Sequence, residues 1–242
     1  MNKIFGRKPV LEKIKSGAEI EQVIIAYGQH GDIIGQIKNE AYKRGIKVSE
    51  ISTSKFDNQF KGENTQGVAA LISDQRYYEL DEIIASAKSK TYPLLLILDT
   101  IQDPHNLGAI LRTAECAGVD GVIMTTNNSA SITETAEKTS AGAVSYLKIC
   151  KVNNLNNAMK ELKDNGFWIV GSYLGNSKDY NEVDYKMPVA LVMGNEEKGL
   201  RKLVAENCDF LVHIPMHGKI DSLNVSVATG VLLFGILKQR NK

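Results

Sequence analysis

The sequence predicts an α/β protein in two parts: a parallel sheet with helices on both faces, preceded by a smaller α/β domain. Short apolar runs without polar alternation recur at 94–98, 119–124, 167–172, 189–193 and 210–214. Runs of that kind suit strands covered on both faces, as in a parallel sheet. Helical stretches separate them. A weaker alternation of the same sort fills residues 1–73, and between the two lies a polar, charged stretch, DQRYYELDEIIASAKSK. We therefore expect domains at 1–73 and 93–242 joined by a linker at 74–92 with room for one surface helical turn.

Within the first part, an amphipathic opening with Pro9 near a helix start leads to an apolar run at 23–27. A helical segment from Asp32 closes at Gly45, and a strand-like run follows at 68–72. In the second part, ligands of a parallel α/β sheet belong beyond the carboxyl ends of the strands. The loops after the apolar runs are therefore where chemistry is to be sought.

The 242-residue chain is 43% hydrophobic and 24% charged, an ordinary globular composition. Its formal net charge of +1 means that binding to nucleic acid must come from local placement of Lys and Arg. Cys116, Cys150 and Cys208 are odd in number and far apart, which suggests neither a disulfide framework nor a CxxC metal site, so a reducing cytoplasm fits. His105 and His213 are isolated, His30 is expected on the surface, and no metal is suggested. The N-terminus has no apolar signal region, and the longest apolar run, 225–237, is broken by Ser226, Thr229 and Gly230. A soluble, cytoplasmic chain without a membrane partner is expected.

Three loops carry the candidate chemistry. After run 94–98 comes Asp99-Thr-Ile-Gln-Asp103-Pro104-His105-Asn106-Leu-Gly108, then a helix with Leu107, Ile110, Leu111 and Ala114 on one stripe. Arg112 lies off that stripe, and Asn106 is placed at or near the N-cap. The second loop is Gly194-Asn195-Glu196-Glu197-Lys198-Gly199-Leu200, where glycines allow close approach of backbone to a ligand. The third runs from Ile214 through Ser222, Leu223 and Asn224 into a C-terminal helix apolar nearly all round, which is expected to be buried. Capping could satisfy Ser222, whereas Asn224 has no such explanation. Neither GxGxxG nor GxxxxGK[ST] occurs, which disfavours a nucleotide-dependent oxidoreductase or an NTPase.

In this order, the motifs within DPHNLGAILRTAECAG, GNEEKGL and IPMHGKIDSLNVSVA resemble the three motifs of the SpoU (TrmH-type) family of RNA 2′-O-methyltransferases. The segment Ser140-Ala-Gly-Ala143 is also family-like, and residues 5–68 resemble the small RNA-binding domain that some members carry. The resemblance implies a C-terminal trefoil knot, a homodimer, and S-adenosylmethionine as cofactor. It further implies backbone contacts to that cofactor from Gly194, Ile214, Met216 and Leu223, and a polar active site of Asn106, Arg112, Glu196, Ser222 and Asn224. Where many relatives have a second glycine, this chain has Glu197.

The implied reaction is in-line attack of a ribose oxygen on a sulfonium methyl, a task of positioning and proton removal. A guanidinium is a poor base, so Arg112 is expected chiefly to hold an RNA phosphate. Asn106 would orient the hydroxyl or Arg112, with Glu196, Ser222 and Asn224 organising the loops. The resemblance implies RNA and not DNA as partner, and the separate N-terminal domain points to the RlmB-like members that methylate a guanosine of 23S rRNA, since a tethered second module raises effective concentration at the target. A tRNA ribose methyltransferase and a non-catalytic RNA-binding or ribosome-assembly protein are the alternatives.

Overall fold

The computed structural model describes residues 2–16, 20–72 and 76–241, and the chain divides into compact units at 1–76 and 77–242. The boundary expected after residue 73 falls on residues outside those described.

The first unit runs β1 (Asn2–Phe5), α1 (Arg7–Lys15), β2 (Ile20–Ala26), α2 (Asp32–Lys43), β3 (Lys47–Ile51), α3 (Thr53–Gln59) and β4 (Val68–Ile72). Its sheet has the order β1-β4-β2-β3, with β2 and β3 parallel and the other pairings antiparallel. Apolar positions at helical spacing decide which faces are buried. Val10, Leu11 and Ile14 of α1 join Ile34, Ile37 and Ala41 of α2 over one face, while Phe56 and Phe60 pack on the other. Gly45, at φ +65°, follows the end of α2, where a left-handed residue costs glycine least.

The second unit runs α4 (Leu80–Ala87), β5 (Leu94–Leu98), α5 (Pro104–Cys116), β6 (Gly121–Thr125), α6 (Glu134–Thr139), β7 (Ile149–Val152), α7 (Leu155–Asp164), β8 (Trp168–Ser172), β9 (Lys178–Asp179), β10 (Val189–Met193), α8 (Lys202–Glu206), β11 (Phe210–His213) and α9 (Val225–Arg240). The sheet order is β7-β6-β5-β10-β8-β11-β9, and every pairing is parallel.

The unbroken apolar run of β5 has a direct cause. Leu94, Leu96 and Leu98 point into a core shared with α5 and α9, and Leu95 and Ile97 into a second core shared with α4 and α7. With helices on both faces, neither set of alternate residues meets water.

Two expectations need correction. The stretch expected to be a connector contains α4, which buries Leu80, Ile83, Ile84 and Ala87. Those residues have helical spacing, so α4 is part of the sheet's cover and not a surface turn. The C-terminal helix α9 is not wholly buried either. It sets Val225, Thr229, Leu232, Leu233 and Ile236 into the core, while Val227 and Phe234 remain 51% and 50% exposed. One face of the helix meets the core of the second unit, and the other is left half-exposed among the described residues of that unit.

Because β10 lies between β5 and β8, the loop after it emerges beside the loop after β5. The chain then leaves β11 and returns as α9 along α5. Three segments far apart in sequence thus converge at the carboxyl end of the sheet.

Candidate active site

The first loop begins at Asp99, a fully buried carboxylate at the end of β5. Its two oxygens accept the Arg201 backbone N–H (3.0 Å) and Nε (2.7 Å), which ties the far end of the second loop to the first strand. Thr100 follows at φ 60°. A β-branched residue there is strained by about 1–3 kcal/mol, a cost often held at functional sites.

Asp103, not Asn106, is the N-cap of α5: its side chain accepts the His105 N–H, and Pro104 occupies the first helical position. Asn106 therefore sits inside the first turn with its amide free for another partner. Nδ2 donates to Glu196 Oε2 at 2.8 Å. The expected stripe of Leu107, Ile110, Leu111 and Ala114 is buried.

Asn224 corrects a second expectation. It, and not Ser222, caps α9, accepting the Ser226 N–H (2.9 Å) and Oγ–H (2.6 Å) on Oδ1. Its Nδ2 donates to Asn106 Oδ1 (3.0 Å) and Glu196 Oε1 (2.7 Å). Asn106, Glu196 and Asn224 thus close a ring in which the carboxylate accepts from both amides. The ring lies where two helices begin, and a carboxylate near helix N-termini gains about 0.3–1 kcal/mol from the peptide dipoles.

The second loop is held by Asn195, which the sequence reading passed over. Its Oδ1 accepts the N–H groups of Glu197 (3.0 Å) and Lys198 (3.2 Å), and its Nδ2 donates to the Thr100 carbonyl (3.1 Å). Backbone bonds between Asn195 and Gly199 close the turn in both directions, at 3.0 and 2.8 Å. Gly194 is required by this closure, since a Cβ there would lie 2.3–2.5 Å from the backbone of Gly199 and Leu200. That differs from the expected reason, close approach to a ligand. An Asn inside a Gly-flanked loop is the signal that could have found Asn195.

Two cavities flank this turn. One, of about 510 Å³, is lined by Thr100, Gln102, Asn106, Asn128 and Arg201. The other, of about 480 Å³, is lined by Gly194, Ile214, Met216, Ser222 and Leu223, together with Met193, Val225, Ala228 and residues 172–175. They share Glu196, Val225 and the Asn195–Gly199 turn as a wall. Residues 172–175 follow β8, so the rule of strand carboxyl ends could have pointed to them.

The second cavity gathers all four residues expected to hold the cofactor. Its apolar side chains, among them Ile214, Met216 and Leu223, suit an adenine ring, and its size is that of an ordinary small-molecule site. Among the described residues, 215–223 make no backbone–backbone hydrogen bond. Residues 217–223 are exposed, and the backbone groups of 215–223, Pro215 aside for its missing N–H, are open to a ligand's polar edge. On these observations the residues present fit S-adenosylmethionine. His213 forms part of the wall, its Nδ1 at 3.0 Å from Ser177 Oγ.

The polar residues expected in the site divide. Asn106, Glu196 and Asn224 are joined, and Ser222 lies at the cavity mouth without a hydrogen bond among the described residues. Arg112 is not brought to the ring: it is exposed, lines neither cavity, and makes no hydrogen bond or ion pair among the described residues. Six residues beyond Asn106, it stands about 9 Å further along the axis of α5.

Comparison with known proteins follows the same division of the chain. A sequence profile described as the SpoU rRNA Methylase family matches residues 93–234, and one described as RNA 2'-O ribose methyltransferase substrate binding matches residues 3–78. A Staphylococcus saprophyticus protein named for the TrmH family of tRNA/rRNA methyltransferases is 41% identical over 239 residues, covering 98% of this chain and 96% of its own. Among solved structures, the AdoMet-bound rRNA methyltransferase from Sinorhizobium meliloti is 29% identical with a TM-score of 0.63, covering 98% of this chain and 86% of its own. The A. aeolicus TrmH/SpoU tRNA modifying enzyme is 34% identical with a TM-score of 0.58, over 67% of this chain and 82% of its own. With a profile match over more than half of its length and a relative this similar from end to end, the chain belongs to the SpoU rRNA methylase family.

Proposed function

We propose that this protein methylates a ribose 2′-hydroxyl of RNA with S-adenosylmethionine, the target being a guanosine of 23S rRNA. The observation that carries the proposal is the Asn106–Glu196–Asn224 ring, which joins the three motif loops at the wall between the two cavities. One cavity fits the methyl donor, the other opens beside it, and the ring stands where donor and acceptor must meet.

Gly194, Ile214, Met216 and Leu223 hold the cofactor, the last three through the strand-free segment and its apolar side chains. S-adenosylmethionine supplies a sulfonium methyl, which needs in-line attack by the ribose oxygen. The protein's task is then alignment. Asn106 has one amide hydrogen outside the ring with which to orient the hydroxyl, while Glu196 and Asn224 hold that amide in place. Ser222, without a hydrogen bond among the described residues, has its hydroxyl available to the bound cofactor or RNA. Arg112, exposed and without a protein partner among the described residues, has its planar fork available to an RNA phosphate.

The same reading gives the chain a trefoil knot and a homodimer in the cytoplasm. The half-exposed Val227 and Phe234 of α9 support a partner on that helix. Among the described residues, no helix is long and apolar enough to cross a membrane. The N-terminal domain, expected at 1–73, acts as a second RNA contact, and its profile match and the TrmH-family relative support RNA as the partner.

The test is to map 2′-O-methylation across rRNA and tRNA in a strain lacking the protein, with and without complementation. Loss of one 23S guanosine mark, restored by the wild-type gene, is expected. Loss of a tRNA mark with intact rRNA would move the target to tRNA, and no lost mark would favour a non-catalytic RNA-binding role.

A further inference from the structure

We propose that the cavity on the far side of the Asn195–Gly199 turn from the cofactor cleft receives the target nucleoside, and that Gln102, Asn128 and Glu197 read its base as guanine. The inference rests on the methyl-transfer function proposed above and names its substrate pocket.

Position is the first argument. The cavity of about 510 Å³ contains Asn106 and shares Glu196 and Val225 with the cofactor cleft. A ribose placed against Asn106 and Glu196 lies next to the methyl donor's cavity, with its base inside the space that Gln102, Asn128 and Glu197 also line.

The polar groups of the lining are the second. Asp99, Asp103, Asn195 and Arg201 are committed to the fold through the hydrogen bonds described above. Among the described residues, the side chains of Gln102, Asn128, Glu197 and Lys198 make no hydrogen bond; Gln102 and Asn128 line this cavity alone, and Glu197 and Lys198 belong to the turn it shares with the cofactor cleft. Asn128 is held at φ 59° and Thr100 at φ 60°, so the backbone departs from ordinary strand geometry on two sides of the same space.

The chemistry of these groups selects a base. An extruded base is read through hydrogen bonds to its pairing edge. A carboxylate only accepts, and guanine presents two adjacent donors, N1–H and the N2 amine. Uracil places one donor between two acceptors, while adenine and cytosine set their amine beside an unprotonated ring nitrogen. Glu197 therefore matches guanine, and the Gln102 and Asn128 amides can donate to O6 and N7. Glu197 thereby acquires a role in specificity.

The experiment uses the full chain, S-adenosylmethionine binding by calorimetry, and steady-state methyl transfer to unmodified 23S rRNA transcribed in vitro. Gln102→Ala and Asn128→Ala should each raise KM for RNA by ~10-fold, the cost of a lost base contact, with kcat and cofactor affinity unchanged. With inosine for guanosine the transcript lacks the N2 amine. The wild type should lose ~10-fold in kcat/KM on it, and Glu197→Gln should discriminate far less. Unchanged KM in both alanine variants, or equal use of inosine by the wild type, would overturn the pocket. So would a fall in cofactor affinity in either alanine variant, which would assign this cavity to the cofactor. Absence of transfer by the wild type to any RNA, tRNA included, would instead remove the underlying function and the inference with it.

Discussion

Asn224 donates a 3.0 Å hydrogen bond to Asn106 across 118 residues of sequence, while the oxygen of the same amide caps α9. One side chain thus fixes both the start of a helix and the link between the third and first loops.

That double use separates two substitutions. Asn224→Ala should lower stability by about 1 kcal/mol through the lost cap and abolish methylation. Asn224→Asp should keep the cap but set a carboxylate against Glu196, leaving stability closer to wild type while activity still falls. Thermal melts alongside methyl transfer check this. An active Asn224→Asp variant would show that the amide donor is dispensable.

Gly194→Ala should cost about 1–3 kcal/mol, because a Cβ at 2.3 Å from the Gly199 carbonyl carbon forces the turn to open. Cofactor affinity should fall with it, since the turn forms one wall of the cleft. Calorimetry with S-adenosylmethionine and a thermal melt decide. Wild-type values in both would mean that the turn is not as closed as described.

Arg112→Ala should abolish methylation and leave cofactor binding nearly intact, because Arg112 touches neither the cleft nor the ring. Arg112→Lys should retain part of the activity, a point charge replacing a bidentate fork. Wild-type turnover by Arg112→Ala would remove its assigned contact with RNA.

Burial pushes the thiols of Cys150 and Cys208 up to about 12, whereas Cys116 is exposed. At pH 8 a thiol reagent should label Cys116 in the native protein and all three cysteines after denaturation. The folded state keeps two protons that the unfolded chain releases from an ordinary value of 9.0, so this contribution is complete below about pH 9 and is lost as pH rises toward 12. Denaturant titrations at pH 8 and 10 should show lower stability at the higher pH. Rapid labelling of Cys150 in the native protein would contradict its burial.

Much of the architecture is legible because burial on two faces writes itself as unbroken apolar runs: β5 and β10 match the runs at 94–98 and 189–193. Helix α4 is concealed by the polar residues among its buried Leu80, Ile83, Ile84 and Ala87. The edge strand β7 is only four residues long and interrupted by Lys151, too little for a periodicity. In the candidate site, the residues could be named from motifs, but their roles could not. Asn106 and Ser222 looked like caps because caps are local, while the partner that binds the Asn106 amide lies 90 residues away at Glu196. The Asp99–Arg201 tie spans 102 residues in the same way and involves two residue types common on any surface.

The central claim is that the ring of Asn106, Glu196 and Asn224 assembles a site for ribose methylation. Its most direct measurement is transfer of labelled methyl from S-adenosylmethionine to total RNA from cells lacking the protein, followed by digestion to nucleosides. Wild type should yield labelled 2′-O-methylguanosine, and Asn106→Ala and Glu196→Gln should yield almost none while still binding the cofactor. Label on a base, or full transfer by both variants, would contradict the account.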